Sequence, residues 1–424
     1  MHGVTTIIFL WEAAFTERDH RRMGIDTLTR AGYRAEIWNL SPLLHRTPGG
    51  VYRPGDGATP VVRSFRTRRE VEEAVAGLDR SCLVNCFIGF TAATAFIYRA
   101  LSRARVRYAV PSFNALPELL PGKAPDVGRT LSRILHNLSG LSVRKYPDAV
   151  LTSLLRRHYR LAGIAPADIL LAGGVKPVRY TAYPVGPGTR TVWLHAMDYD
   201  IYRALWDRPF APTDHTAVFI DGYDFHHPDI ARSGEAPYPW ADDYYRRLRA
   251  FFTFLEETRG ARIVVAAHPL SEYPDPERIF GKRPVIRGRT PELIQESQFT
   301  ILHASTAVNF AVLFRKPVLF LTDEDYRRHI LGPMIETMAE RLSRPLIRLD
   351  RPETFPLADS LAIDPERYRW YQHDYLKKEG SPDLPFWDIY LRAIREQNGE
   401  GPPADPRGPP ATGSAGDSPG RTGR

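Results

Sequence analysis

Short apolar runs rich in β-branched and aromatic residues, each followed by a stretch with helical spacing, recur along most of this chain. Strands this apolar need covering on both faces, and intervening helices supply the cover. The pattern therefore predicts parallel sheets built from βαβ units. Thr5–Trp11, Arg34–Leu40, Cys82–Ile88, Arg107–Pro111, Ala149–Ser153 and Ile169–Ala172 read as strands of a first sheet, with helices over Arg18–Ala31 and Thr91–Arg103. The polar, Gly- and Pro-containing stretch Leu43–Ser64 reads as a long loop or insertion. After the Gly and Pro cluster of Tyr183–Thr189 the rhythm restarts. Thr191–His195, Thr216–Asp221, Arg262–His268, Val285–Arg287, Phe299–His303 and Pro317–Leu321 are the expected strands of a second sheet, and helices are expected over Trp240–Thr258, Pro291–Ser297 and Thr306–Phe314.

The expected fold is α/β, with two tandem Rossmann-like domains facing one another across a cleft. Residues 1–188 and 189–345 form the two units, and helices over 346–397 pack on both. Residues 398–424, with seven Gly, six Pro and no large apolar side chain, form a disordered tail. The 424 residues, 43% hydrophobic, suffice for two such domains. The charge of +8 is carried by arginine, since only seven of the 57 basic residues are lysine. These arginines are dispersed and no RNA- or DNA-binding motif accompanies them, so a nucleic-acid partner is not expected, while anionic small molecules such as phosphates are mildly favoured. Two cysteines, Cys82 and Cys86, make neither a disulfide framework nor a zinc set. With no leader-like start and no run of apolar residues long enough to span a bilayer, a cytoplasmic location is expected, with peripheral membrane contact left open.

Ligands of open α/β sheets bind beyond the carboxyl ends of the strands, so polar residues that end an apolar run matter most. Three runs of the second half end this way, at Asp221-Gly222, at His268-Pro269 and at His303-Ala304-Ser305-Thr306. Ser305 and Thr306 stand at a strand-to-helix junction, where hydroxyls and backbone N–H groups either cap a helix or hold a phosphate. Pro269 keeps His268 out of the helical region and fixes the imidazole at the strand tip, as a donor to a leaving phosphate or as a satisfied turn residue. Asp221 either opens a turn or serves as a general base. In Gly288-Arg289-Thr290-Pro291, Thr290 reads as a helix N-cap, and the loop could also hold a nucleobase, with Arg289 near phosphate. His195, Asp198 and Asp200 are further cleft candidates. His226-His227-Pro228-Asp229 is not assigned a metal, because no distant ligand set is evident. Glu12, Arg18, Asn85, Ser112 and Asn114 are the polar candidates of the first half. Gly-x-Gly-x-x-Gly after the first strand, a Gly-Lys-Ser/Thr phosphate loop and a Gly-x-Ser-x-Gly elbow are all absent, which counts against dehydrogenase, P-loop and α/β-hydrolase chemistry.

The ordered set Phe219-Ile220-Asp221-Gly222, Ala266-Ala267-His268-Pro269, Gly288-Arg289-Thr290 and His303-Ala304-Ser305-Thr306 through Phe320 resembles bacterial surface-polysaccharide glycosyltransferases of the two-domain GT-B kind. It is similar also to the bacterial sialyltransferases and capsule glycosyltransferases. The resemblance spans roughly Thr191 to Leu321. It implies that Asp221 deprotonates an acceptor hydroxyl, that His268 contacts or protonates the departing phosphate, and that Ser305 and Thr306, with Gly288, Arg289, Thr290 and His303, bind the nucleotide. Residues 1–188 would then be the acceptor side and 189–345 the donor side. The nucleotide-sugar is a substrate, no cofactor or metal is required, and the acceptor is a glycan or lipid-linked hydroxyl. Ile220 stands where the sialyltransferase pattern usually has a second acidic residue. A nucleotide-sugar epimerase, a polyol-phosphate transferase and a non-catalytic glycan-binding protein are the competing readings. Donor, acceptor and oligomeric state are not fixed by the sequence.

Overall fold

The computed structural model describes residues 3–13, 15–45, 59–117, 145–206, 208, 215–225, 241–328, 331–352 and 360–400. Thirteen described strands form two sheets in which every pairing is parallel. The first contains β1 (Thr6–Trp11), β2 (Arg34–Asn39), β3 (Val61–Ser64), β4 (Cys82–Cys86), β5 (Arg107–Ser112), β6 (Ile169–Ala172) and β7 (Arg190–Trp193), in the order β3-β2-β1-β4-β5-β6-β7. The second contains β8 (Thr216–Ile220), β9 (Arg262–Ala267), β10 (Val285–Arg287), β11 (Phe299–Leu302), β12 (Val318–Thr322) and β13 (Leu346–Arg348), in the order β10-β9-β8-β11-β12-β13. Each sheet thus grows outward one way, returns to its first strand and grows the other way. The reversals fall at β1/β4 and β8/β11, and at such a switch point the connecting loops part to leave a crevice. The α/β architecture of two Rossmann-like units is the one the alternating pattern predicts.

Several local expectations are corrected. The strand expected to open the second sheet at Thr191 is instead the last of the first sheet, with Leu170 opposite Thr191. The second sheet starts at Thr216, and its sixth strand, Leu346–Arg348, falls in a region expected to hold only helices. Ala149–Ser153 is not a strand but part of the helix Lys145–His158, whose last turn carries Arg156, Arg157 and His158 as a helix C-terminus favours. The single helix expected over Arg18–Ala31 is two, Glu17–Arg22 and Ile25–Arg30, because Gly24 adopts a left-handed φ of 59°. The polar Leu43–Ser64 stretch ends in β3, an edge strand. Most of that stretch, the 226–229 cluster and residues 401–424 lie outside the described residues.

The end of the chain joins both units. Tyr368, Tyr371, Tyr375 and Leu376 belong to the apolar core of the second sheet, whereas Phe386, Trp387, Tyr390 and Ile394 belong to a core on the first sheet together with Ile7, Phe9 and Leu171. The helix Phe386–Asn398 therefore packs on the domain made by the start of the sequence, and Asn398 Oδ1 accepts the Val4 N–H at 2.8 Å. Within the first of these contacts, the backbone of Asp374 lies so close to Gly174 that a Cβ on Gly174 would overlap the Asp374 carbonyl group. The Ala196 N–H donates to the Leu376 carbonyl at 2.6 Å, and this bond also ties the linker after β7 to the crossing segment.

Candidate functional site

Register places the tips of three neighbouring strands at one edge. Ile220 of β8 is opposite Ala266 of β9 and Leu302 of β11. With strands about 4.8 Å apart, Asp221, His268 and His303 leave the sheet side by side around the β8/β11 reversal. Asp221 is only 6% exposed. One carboxylate oxygen accepts the Tyr223 N–H at 3.0 Å, and the other accepts the Tyr273 hydroxyl at 2.7 Å with a long contact of 3.5 Å from the His268 N–H. The carboxylate therefore binds the β9 loop to the β8 tip. His268 Nδ1 accepts the Leu270 N–H at 3.2 Å, so the proton of the neutral ring sits on Nε2. Its ring lies nearly parallel to that of Tyr223, with centroids 6.2 Å apart. Asp221 and His268 are thus adjacent, as their strand positions predict.

A second carboxyl at this tip escaped the sequence reading. Asp224 accepts the Tyr326 hydroxyl at 2.8 Å, and its carboxylate lies where a Cβ on Gly222 would be. Burial pushes the Asp224 carboxyl up to about 7, the nearby Asp221 charge adds to the rise, and the Tyr326 hydrogen bond partly opposes it. A carboxyl that titrates near neutrality can hold or release a proton under ordinary conditions, which suits general acid or base work. Its one sequence signal was a second aspartate three residues after Asp221.

His303, expected among the nucleotide-binding residues, is instead part of the floor. It is 3% exposed, donates from Nδ1 to the Leu321 carbonyl at 2.9 Å and accepts the Tyr244 hydroxyl on Nε2 at 2.6 Å. Its ring stacks on Tyr326 with centroids 4.1 Å apart. The Leu321 carbonyl and the Tyr244 hydroxyl therefore satisfy both nitrogens. The helix after β11 begins at Val308 rather than at Thr306, and Ser305 Oγ accepts the Ala307 N–H at 3.2 Å. Ser305 and exposed Thr306 thus form a turn ahead of the helix. Gly288 has φ 77°, which an L side chain rarely tolerates. Thr290 is the first residue of the helix Thr290–Glu296 rather than its cap, and Arg289 pairs with Glu296 at 3.2 Å.

The candidates of the first half are divided between the surface and the packed interior. Glu12 is exposed just past β1, and Arg18 is exposed on Glu17–Arg22. Asn85 is 0% exposed and accepts the Tyr390 hydroxyl at 3.1 Å, which makes it a core residue. Asn114, with φ 58°, accepts the Met197 N–H at 2.8 Å and fixes the start of the linker helix Met197–Trp206. His195 is fully buried between the Ala196 and Leu384 carbonyls, and the Asp200 carboxylate accepts the Phe386 N–H at 3.0 Å. Both serve the docking of the last helix. Asp198 alone of that trio reaches the second unit, where Asn309 Nδ2 donates to it at 2.9 Å. Among the described residues, no group of three His, Cys, Asp or Glu side chains could hold a metal ion, and no helix is long and apolar enough to cross a membrane.

No protein-family model matches the chain, and no curated protein matches it in sequence. Solved structures do. The calicheamicin glycosyltransferase CalG4 superposes with a TM-score of 0.51 at 13% identity, over 93% of this chain and 99% of that one. The wall teichoic acid polymerase TagF is similar at a TM-score of 0.46 and 11% identity, over 93% and 90% of the two chains. A UDP-N-acetylglucosamine 2-epimerase follows at 0.45 and 10%, over 93% and 97%. At such identities the likeness to CalG4 is one of fold alone. It gives this chain the two-domain frame of the GT-B kind.

Proposed function

We propose that the protein is a glycosyltransferase that moves a sugar from a nucleotide-sugar to a hydroxyl of a glycan or lipid-linked acceptor, with its donor site at the β8, β9 and β11 tips. The observation that carries this reading is the adjacency of Asp221 and His268 at the switch point of the second sheet, beside the Ser305–Thr306 turn. Transfer needs a group to take the proton of the incoming hydroxyl and a group to neutralise the leaving phosphate. His268 supplies the second, because its neutral ring carries the proton on Nε2. For the first, Asp224 suits the task better than Asp221, whose carboxylate oxygens already accept hydrogen bonds from Tyr223 and Tyr273. In this scheme the acceptor O–H proton passes to the Asp224 carboxylate as the oxygen attacks the anomeric carbon. The bond from that carbon to the phosphate oxygen breaks with its electron pair, and His268 donates a proton to the departing oxygen. A single displacement of this kind inverts the anomeric centre and asks for no metal. Ser305, Thr306, Gly288 and Arg289 are the nucleotide-binding residues of this reading, and Glu12 is its acceptor-side group.

The test is sugar transfer from a panel of radiolabelled nucleotide-sugars. His268→Ala is expected to lower turnover by about a hundredfold or more while the melting temperature stays within error of the parent. Normal turnover by that variant would refute the assignment. Conversion of the nucleotide-sugar to its epimer without any acceptor would favour the epimerase reading instead.

A further inference from the structure

Single exposed leucines are ordinary on a protein surface, whereas a contiguous exposed apolar stripe marks contact with a partner or a membrane. The helix Lys145–His158 carries such a stripe. Val150, Leu151 and Leu154 are each more than half exposed, and Leu161, in the turn that follows, is 88% exposed. Positions 150, 151 and 154 share one helix face, and Arg157 and His158 continue it at the next turn. Both of these are exposed, as is Arg160 beside Leu161. The one acid of the helix, Asp148, stands four residues before Thr152 and is in line with the opposite face.

That opposite face is what holds the helix to the first domain. Leu155 is buried in an apolar core with Val84, Phe90 and Tyr98. Thr152 Oγ1 accepts the Ala92 N–H at 3.0 Å, Arg156 Nε donates to the Phe90 carbonyl at 3.1 Å, and the Tyr159 hydroxyl donates to the Val185 carbonyl at 2.6 Å. Positions 152, 155, 156 and 159 repeat with helical spacing, so these anchors turn Val150, Leu151 and Leu154 away from the domain. Phe90 and Ala92 follow β4, which fixes the helix at the carboxyl edge of the first sheet beside its β1/β4 reversal. Arg99 Nε donates to the Ala162 carbonyl at 3.1 Å and sets a further cation next to the Leu161 turn.

An apolar stripe that ends in cations complements the boundary between acyl chains and anionic headgroups, where leucines enter the apolar layer and guanidiniums stay at the phosphates. A second copy of the chain is a poorer occupant, because its matching helix face brings the same cations and no acid. We propose that the outer face of Lys145–His158, with the Leu161 turn, docks the first domain on an anionic lipid bilayer, the helix lying in the headgroup layer. The inference goes beyond the glycosyltransferase reading, and it would bring the crevice of the first sheet to the surface on which a lipid-linked acceptor is carried.

Flotation of the full chain is measured with vesicles of phosphatidylcholine alone and of phosphatidylcholine mixed with an equal amount of phosphatidylglycerol. The proteins are the parent, the double variant Leu151→Ser with Leu154→Ser, and the double variant Arg157→Gln with Arg160→Gln. All four side chains are exposed, so unchanged melting temperatures are expected. The parent should float with the mixed vesicles. The leucine pair should weaken that binding about hundredfold, at about tenfold per leucine, and the arginine pair about tenfold or more, with no change on phosphatidylcholine alone. In Leu154→Cys carrying an environment-sensitive fluorophore, with Cys82 and Cys86 buried, emission should shift to the blue when mixed vesicles are added. A parent that does not float, that binds both vesicle types equally, or that is matched by both double variants overturns the inference. Emission already blue without vesicles also overturns it, by showing that protein covers the face: a second copy if the emission depends on protein concentration, residues 118–144 if it does not. Vesicle binding without sugar transfer would uphold this surface and count against the glycosyltransferase reading, and transfer without vesicle binding would do the reverse.

Discussion

Replacing Asp224 with asparagine keeps an oxygen to accept the Tyr326 hydroxyl and removes the group that titrates. The folded carboxyl is pushed up to about 7 from an ordinary value of 3.8, chiefly by burial. It therefore keeps its proton over an interval in which the unfolded chain has already released it. Stability is lost as pH rises through that interval, and the loss is complete above the folded value. Each pH unit within it is worth about 1.4 kcal/mol. About two of those units lie above pH 5, so the parent should lose about 2–3 kcal/mol between about pH 5 and about pH 8.5 through this group alone. Asp224→Asn should not. Urea unfolding of both proteins at the two pH values measures the difference directly. The variant's advantage is expected to grow by about 2–3 kcal/mol at the alkaline end. An advantage that is constant with pH, or larger in acid, would show that the carboxyl is not desolvated as the structure indicates. The same variant should lose transfer activity if Asp224 takes the acceptor proton.

Two glycines give sharper tests of the packing between chain segments. Gly174→Ala puts a methyl group into the Asp374 carbonyl, where both partners are backbone, so we expect a loss of about 3 kcal/mol by urea unfolding; an unchanged midpoint would mean that the crossing segment does not sit against β6. Gly24→Ala combines a left-handed φ of 59° with overlap on the Trp387 ring, and it should lower stability by about 2–4 kcal/mol, whereas Trp387→Ala in the same background should relieve part of the added cost; strict additivity of the two changes would count against the contact.

The strands were legible because runs such as Val218-Phe219-Ile220 and Val264-Val265-Ala266 are apolar on both faces, and a polar residue after such a run marks its tip. Adjacency of Asp221 and His268 follows from that. The side-chain state at the tips did not follow. His303 looked like a ligand-facing residue because its partners, Tyr244 and Tyr326, lie in helices far from it in sequence. Asn85 was misread for the same reason, since Tyr390 comes 305 positions later. Asp224 was overlooked because its raised pKa comes chiefly from burial, which is not a local property of the sequence. The boundary between the sheets was misplaced at Thr191 because an apolar run after a Gly and Pro cluster looks the same whether it closes one sheet or opens the next.

The late helix Phe386–Asn398 has a consequence for how the protein is made. Asn398 meets Val4 across 394 positions of sequence, and Trp387 and Tyr390 wall in Ile7 and Phe9. On the ribosome the amino-terminal sheet can acquire its strands early but not this wall, which emerges only after the whole second sheet has been translated. The nascent chain must carry that bare apolar flank throughout, a condition that favours aggregation and calls for chaperone shelter, and early translational pauses would prolong the exposure rather than allow the first domain to finish.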